Sequence, residues 1–435
     1  MKEKIIIIGA GISGLTTAYF LKKPYEILEA KPYAGGLCAS FYEDGFVFDC
    51  SGHFMHVKNK EIKNTIEKLT RGLLKIERNA AIYAKNKFIP YPFQANLYYL
   101  DYKTKKECVD DALRRKDVQI SSSMPFLTWS EAMFGSGITK HFMKPYNQKL
   151  WDYDLNKMTA EWTGDFVPKP DAKSIVKTAY LKNKKIYGYN SIFYYPKLNG
   201  CGALIDGLMK NIKVNLNSKT QKIDVKNKIV LCSYGKVYKY NRIVSTQALP
   251  ELLNQITNLP SNVKSAAKNL LSNSVRCVNI GVKSEKGIPK KLKDKHWIYF
   301  PESQFPFYRA GIYSNVNAAN APKGSYSFYV EFSSLNENYK NVENLLDDFK
   351  KLGFIRKKDK IAAVNIIDMP YAYVIFDDKR KKSLQIIKEF LKKCGIFSIG
   401  RYGAWEYSFI EKNMIDAKAL ADMLNKNCFS TQISI

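Results

Sequence analysis

At 435 residues, with 46% hydrophobic and 13% aromatic content, the chain can bury more than one core and lacks the polar low-complexity tracts of a disordered protein. Its 69 basic against 40 acidic residues give a formal charge of +29. The surplus is lysine spread along the chain, with short clusters at 290–295 and 379–382, which describes a solvated surface attractive to anionic small molecules and gives no reason to expect a nucleic-acid partner.

Ile5 to Ile8 form a short β-branched run, as in a buried parallel strand. Gly9, Gly11 and Gly14 follow in G-x-G-x-x-G spacing, then LTTAYFLKK at helical spacing and a second strand-like run, YEILEA. Glu29 ends that run 20 residues after Gly9, where a carboxylate can accept both ribose hydroxyls of an adenine dinucleotide. Strand, glycines, helix, strand and acid in this order predict a dinucleotide-binding fold. Nicotinamide folds usually continue with another βα unit, but here Gly35 and Gly36 come next, then an alternation that predicts a hairpin. CSGHFMHV (50–57) holds two of the four histidines, His53 and His56. A pair three apart on a helix can share a metal, yet no third ligand with suitable spacing lies nearby, so no metal site is expected.

In FIPYPFQANLYYL (88–100), Tyr91 and Phe93 offer ring faces and Gln94 an amide suited to a base edge, or they anchor a loop. Residues 96–199 are richer in helical spacing. Phe142, Tyr146, Asn147 and Trp151 make one wall if the segment after Pro145 is helical; by themselves they read first as a packed core. KIVLCSYGKVYKYNRIVSTQALP (228–250) predicts a hairpin, and HWIYF, AGIYS and SYSFYVEF within 281–364 alternate like antiparallel strands. Only ten basic residues are arginine, so Arg309, set among apolar and aromatic neighbours, stands out: it needs an anion, a carbonyl or an internal carboxylate. GRYGAW (400–405) leads toward a last amphipathic helix. The eight cysteines show no C-x-x-C spacing and suit the reducing cytoplasm. No run of about 18 apolar residues occurs, so no membrane span is expected.

The block from Ile5 through SGHF resembles FAD proteins of the glutathione-reductase-like superfamily, which include amine oxidases, phytoene desaturases and UDP-galactopyranose mutases. The blocks at 88–100, 141–168, 296–315 and 400–407 are similar, in order and spacing, to those of eukaryotic-type UDP-galactopyranose mutases. This resemblance implies an α/β protein with an FAD-binding Rossmann-like domain of glutathione-reductase type (1–95, 200–280 and 365–435), a helical substrate-binding insert (96–199) and an antiparallel-sheet substrate domain (281–364). It implies cofactor contacts from Gly9, Gly11, Ile12, Ser13, Gly14, Glu29, Ala30, Gly35, Gly36, Leu37, Ser51, Arg401 and Met414, with the isoalloxazine near SGHF. Substrate contacts are implied for Tyr91, Phe93, Gln94, Phe142, Met143, Tyr146, Asn147, Trp151, Tyr194, Trp297, Tyr299, Tyr373 and Tyr407, with Arg309 on the diphosphate of a UDP-sugar.

The implied reaction interconverts pyranose and furanose forms of UDP-galactose. Reduced FAD, with NAD(P)H as electron donor, acts as a nucleophile without net redox change, and the carbonyl of Gly52, next to His53, accepts a proton. Two departures stand out. The family's second diphosphate arginine is Tyr194 here, with Lys197 nearby as a point charge. EKNM (411–414) replaces an amide-rich, histidine-containing sugar-binding stretch. Tyr194 favours a second reading, an amine-oxidase-like or desaturase-like FAD oxidoreductase with another substrate. A third is a catalytically idle binding protein. Homo-oligomer formation is left open.

Overall fold

The computed structural model describes residues 4–115, 119–183, 187–188, 190–333 and 342–426. Ile5–Ile8, fully buried, is an inner strand of a four-stranded parallel sheet ordered Ile396–Ser398, Arg242–Ser245, Ile5–Ile8, Tyr25–Leu28. Burial on both faces explains why the run is isoleucine throughout. The helix Ile12–Phe20 leaves the first glycine turn and packs against Ile410–Asn425 and Gly202–Met209. Asn425 fastens its far end, its Oδ1 accepting from Lys22 N at 2.8 Å and its Nδ2 donating to Phe20 O at 3.0 Å. The last amphipathic helix is therefore part of the cofactor-type core.

The expected hairpin after the second glycine pair forms from Ser40–Glu43 and Phe46–Asp49. The later one forms from Ile229–Cys232 and Val237–Lys239 in a separate three-stranded sheet, and the chain then enters the parallel sheet. The helical insert includes Tyr102–Arg114, capped by Asp101 on Thr104 N, and Ala172–Tyr180, capped by Asp171 on Ser174 N. A π-helical turn, Thr139–Met143, runs into Lys144–Trp151, with Pro145 in the first turn as its fixed φ favours.

Seven strands form the second sheet, in the order Lys360–Met369, Val275–Lys283, Ser325–Ser333, Arg309–Gly311, Trp297–Tyr299, Ala80–Ala84, Lys87–Pro90. All pairs are antiparallel except Trp297–Tyr299 with Ala80–Ala84. The sheet thus draws in two strands from residues grouped by resemblance with the cofactor-binding part, and two of its strands run across the expected divisions at 280/281 and 364/365. Among the described residues no helix is long and apolar enough to cross a membrane.

Gly14 shows how tightly the first helix seats on its strand, since a Cβ there would lie 2.0 Å from the Gly9 carbonyl oxygen. Gly14→Ala should therefore destabilise the protein by about 1–3 kcal/mol, measured as a lower urea midpoint; an unchanged midpoint would show that the turn relaxes freely.

Candidate active site

Two glycine turns face each other at the carboxyl end of the parallel strands. Gly35 N donates to Ala10 O at 2.8 Å, and a Cβ on Gly36 would stand 3.3 Å from Gly11 Cα. Gly9 sits at φ +98°, where a side chain would also strike Thr246 Oγ1 at 2.4 Å. Ile12 and Ser13 open the helix above this cradle, and Glu29, followed by the exposed Ala30, leans back so that Oε2 accepts from Ala10 N at 2.7 Å. Backbone amides at a helix N-terminus, a gap only glycine keeps open and an adjacent carboxylate suit a dinucleotide pyrophosphate and ribose.

Beside this cradle, starting at Leu37, a cavity of about 240 Å³ lies between the helical insert and the seven-stranded sheet. Leu37, Ser51, Gly52 and His53 line its cofactor side, and Arg401, Tyr402 and Tyr407 line the wall beside the last helix. Tyr91, Gln94, Phe142, Met143, Tyr146 and Asn147 come from the insert side, and Trp297, Tyr299, Tyr308, Arg309, Tyr329, Glu331 and Tyr373 from the sheet and the segment after it.

Arg309 and Glu331 are register partners on adjacent strands. The guanidinium donates twice, Nε to Oε2 at 2.5 Å and Nη2 to Oε1 at 2.7 Å. Glu331, 1% exposed, also accepts from the Ser51 hydroxyl. An unpartnered carboxylate at that depth would be costly; here the cation and the hydroxyl satisfy it. Burial opposes the charge on Arg309, but the Glu331 carboxylate outweighs it, and its pKa is raised. The internal-carboxylate partner is therefore realised, while Arg309 still lines the cavity.

His53 N donates to Ser51 O at 2.7 Å, a tight turn around Gly52. Glycine is required there because a Cβ would fall 2.0 Å from the Tyr329 hydroxyl. Arg401 gives Nη1 to Ser408 O at 2.7 Å and Nη2 to Ala372 O at 2.9 Å, and lies over the Tyr407 ring at 4.7 Å. Burial pushes the phenols of Tyr146, Tyr308 and Tyr329 well up, so they remain protonated donors. Four buried atoms of cavity-lining side chains lack a hydrogen-bond partner among the described residues: His53 Nδ1, Gln94 Oε1, Trp162 Nε1 and Tyr308 Oη. Such groups point to a polar occupant.

Several expected contacts stand one layer back. Phe93, 1% exposed, stacks behind Phe142 at 5.3 Å and 4°. Trp151, fully buried, donates from Nε1 to Asn147 Oδ1 at 3.1 Å and braces Tyr373 at 5.5 Å. Met414 is buried in the last helix. Tyr194 does not line this cavity: on the strand Ile192–Pro196, Phe193 and Tyr195 turn inward, and Tyr194 lines a neighbouring groove with His56, Lys58 and Glu411, under the Lys63 ammonium at 4.8 Å. Lys197 is exposed and lines no part of the cavity. Sequence reasoning missed Tyr308, Tyr329 and Glu331, although an acid within the apolar alternation SYSFYVEF was a usable signal. Arg78 was missed too: it is 4% exposed, lies over the Tyr91 ring at 4.7 Å, and donates to Asn190 Oδ1 and the Tyr187 carbonyl.

A family model described as an NAD(P)-binding Rossmann-like domain matches residues 7–69. The fold and cradle define the class: a mixed α/β protein built like FAD-dependent oxidoreductases and mutases. More particularly, the chain is similar to a crystal structure of reduced UDP-galactopyranose mutase, with a TM-score of 0.90 and 26% identity over 98% of this chain and 96% of that one. It is 27% identical to coproporphyrinogen III oxidase of Staphylococcus aureus over 54% of each chain. It is also 40% identical to the inactive all-trans-retinol 13,14-reductase of Danio rerio over 16% of this chain and 12% of that one. The chain thus spans about half or less of the lengths of these two curated relatives.

Two outcomes test the geometry. Glu331→Ala strands a buried guanidinium and should destabilise the protein by about 3–5 kcal/mol in urea unfolding, whereas a cost near that of a surface substitution would mean Arg309 finds another partner. Burial lowers His53 to about 4, with Arg401 and Arg309 adding and Glu331 opposing, and lowers His56 and His296 to about 4. These histidines are neutral when folded and protonate near 6.5 when unfolded, so the unfolded chain binds more protons between those values and stability falls as pH drops from 6.5 toward 4. His53→Gln should make that fall shallower; equal slopes would remove His53 from the account.

Proposed function

We propose that the protein binds FAD and interconverts the pyranose and furanose forms of a UDP-hexose, UDP-galactose first. One observation carries this: a guanidinium pre-set by Glu331 shares a cavity with the unpartnered Tyr308 hydroxyl and Gln94 carbonyl, next to a glycine cradle suited to a dinucleotide. The four later blocks similar to eukaryotic-type mutases, and the likeness to the mutase structure, support the same reading.

The bound, reduced flavin supplies the nucleophile for the anomeric carbon, with NAD(P)H as the proposed electron donor. Everything else falls to the chain. Arg309 and the protonated tyrosines hold the departing diphosphate and keep it for return, which a preorganised, water-poor wall does better than solvent. Gln94 Oε1 accepts from the N–H of a uracil edge, while Phe142 and Tyr146 stack on the base. Asn147, its amide held by Met143 O at 2.8 Å and its carbonyl by Trp151, orients the sugar. The Gly52 carbonyl is the candidate proton acceptor; the Ser51–His53 turn sets its backbone, and the Tyr329 hydroxyl leaves no room for a side chain there.

The alternative is an FAD oxidoreductase with another substrate. Its support is Tyr194 in place of an arginine and the partial likeness to an oxidase. The test is to reduce the protein with dithionite under argon, supply UDP-galactofuranose, and follow the pyranose by chromatography. Turnover only in the reduced state is expected; no turnover, together with a flavin spectrum indifferent to millimolar UDP, would reject the mutase. Arg309→Ala should weaken UDP binding by about 10- to 100-fold, the range of a lost charge-assisted hydrogen bond, and Lys197→Ala should leave it unchanged. Equal losses would place the anion grip elsewhere.

A further inference from the structure

Lys149 sits one turn after Tyr146 on the helix Lys144–Trp151, and it is not part of the cavity lining. Its ammonium donates to three main-chain carbonyls of a single loop: Glu302 at 2.9 Å, Phe305 at 2.8 Å and Phe307 at 2.9 Å. That loop connects the strands Trp297–Tyr299 and Arg309–Gly311, and so delivers Tyr308 and Arg309 to the cavity. Three carbonyl dipoles converging on one point repel one another unless a cation sits among them, and an ammonium has three donors for three acceptors.

The Glu302 carboxylate is occupied elsewhere, accepting from Lys85 N at 2.8 Å and Gln304 Nε2 at 2.9 Å. Lys149 is therefore committed to the backbone rather than to a surface ion pair. A lysine that merely covered apolar surface would keep its head in water; here burial lowers its pKa to about 7, with Glu302 opposing.

We propose that Lys149 is a positioning residue: its ammonium pins the 302–307 loop to the helix Lys144–Trp151 and so sets how Tyr146 packs against the wall of Tyr299, Tyr308 and Arg309. Tyr146 meets both tyrosine rings edge to face, with centroids 5.2 Å apart for Tyr299 and 6.4 Å for Tyr308. The ligand part of this inference rests on the nucleotide-sugar reading; the tether itself does not.

Hydrogen exchange on the FAD-loaded protein tests the tether, and UDP titration of the flavin spectrum tests its consequence. In Lys149→Met, amides of residues 303–309 should exchange about tenfold faster or more, as expected when charge-assisted bonds are lost, while the parallel sheet keeps its protection and FAD stays bound. Lys149→Arg keeps the charge and should restore protection. UDP should bind about tenfold more weakly to the Met variant. Unchanged exchange at 303–309, or a rise equal throughout the chain, would overturn the tether. A locally opened loop with unaltered UDP binding would overturn its role in setting that wall. A wild-type flavin that ignores UDP would reject the nucleotide reading, and exchange alone would then decide on Lys149.

Discussion

The cavity is organised around one carboxylate. Glu331 lies on the inner strand Ser325–Ser333, where a lone charge would be intolerable, and two separate segments converge to satisfy it. Arg309 reaches it across the sheet and Ser51 from the cofactor side. Because both guanidinium bonds to Glu331 are already made, Arg309 is oriented before any ligand arrives, and little side-chain freedom remains to be lost on binding. The same contact ties the turn around Gly52 to the roof sheet. The Arg309 guanidinium and the Gly52 turn are thereby held in one frame.

Around that frame the aromatic residues form two layers with different tasks. Tyr146, Tyr299, Tyr308 and Tyr373 face the cavity, and the surrounding burial keeps those hydroxyls protonated. Phe93 and Trp151 stand behind and fix the rings in front of them. A buried Arg78 stacked on Tyr91 adds positive charge at the insert side without lining the space. This division suits an occupant with an aromatic base and an anionic centre better than a purely apolar one.

Much of the cofactor end was legible because its signals are local. The isoleucine strand, the three glycines and Glu29 fall within one short stretch, and each has a single physical job. Pro145 likewise announced helix after it, although helical backbone already runs into it from Ser136 through the π-helical turn. What stayed hidden depends on register or on distant pairing. Tyr194 and Tyr195 differ by one position, and strand alternation puts only Tyr195 on the inner face, hydrogen-bonded to Asp49 at 2.7 Å. The Arg309–Glu331 pair is invisible until two strands align. Ala80–Ala84 joins the second sheet through Trp297–Tyr299, more than 200 residues away in sequence. The sequence distinguished residue types well in the aromatic wall but not front from back, since Phe93 and Phe142 read alike.

The order of the parallel sheet has a consequence for how the chain comes into being. Its four strands begin at residues 5, 25, 242 and 396, and its flanking helix ends at 425. During synthesis the glycine turns and the strand Tyr25–Leu28 emerge together, yet Arg242–Ser245, which closes the other side of Ile5–Ile8, and Ile410–Asn425, which covers the helix Ile12–Phe20, emerge more than 200 residues later. Pairings so distant in sequence are slow to form. The strand Ile5–Ile8 and the helix Ile12–Phe20 must therefore wait, with apolar faces uncovered, until residues 396–425 have been made, so that a cradle written in one short stretch is completed only by segments far away from it.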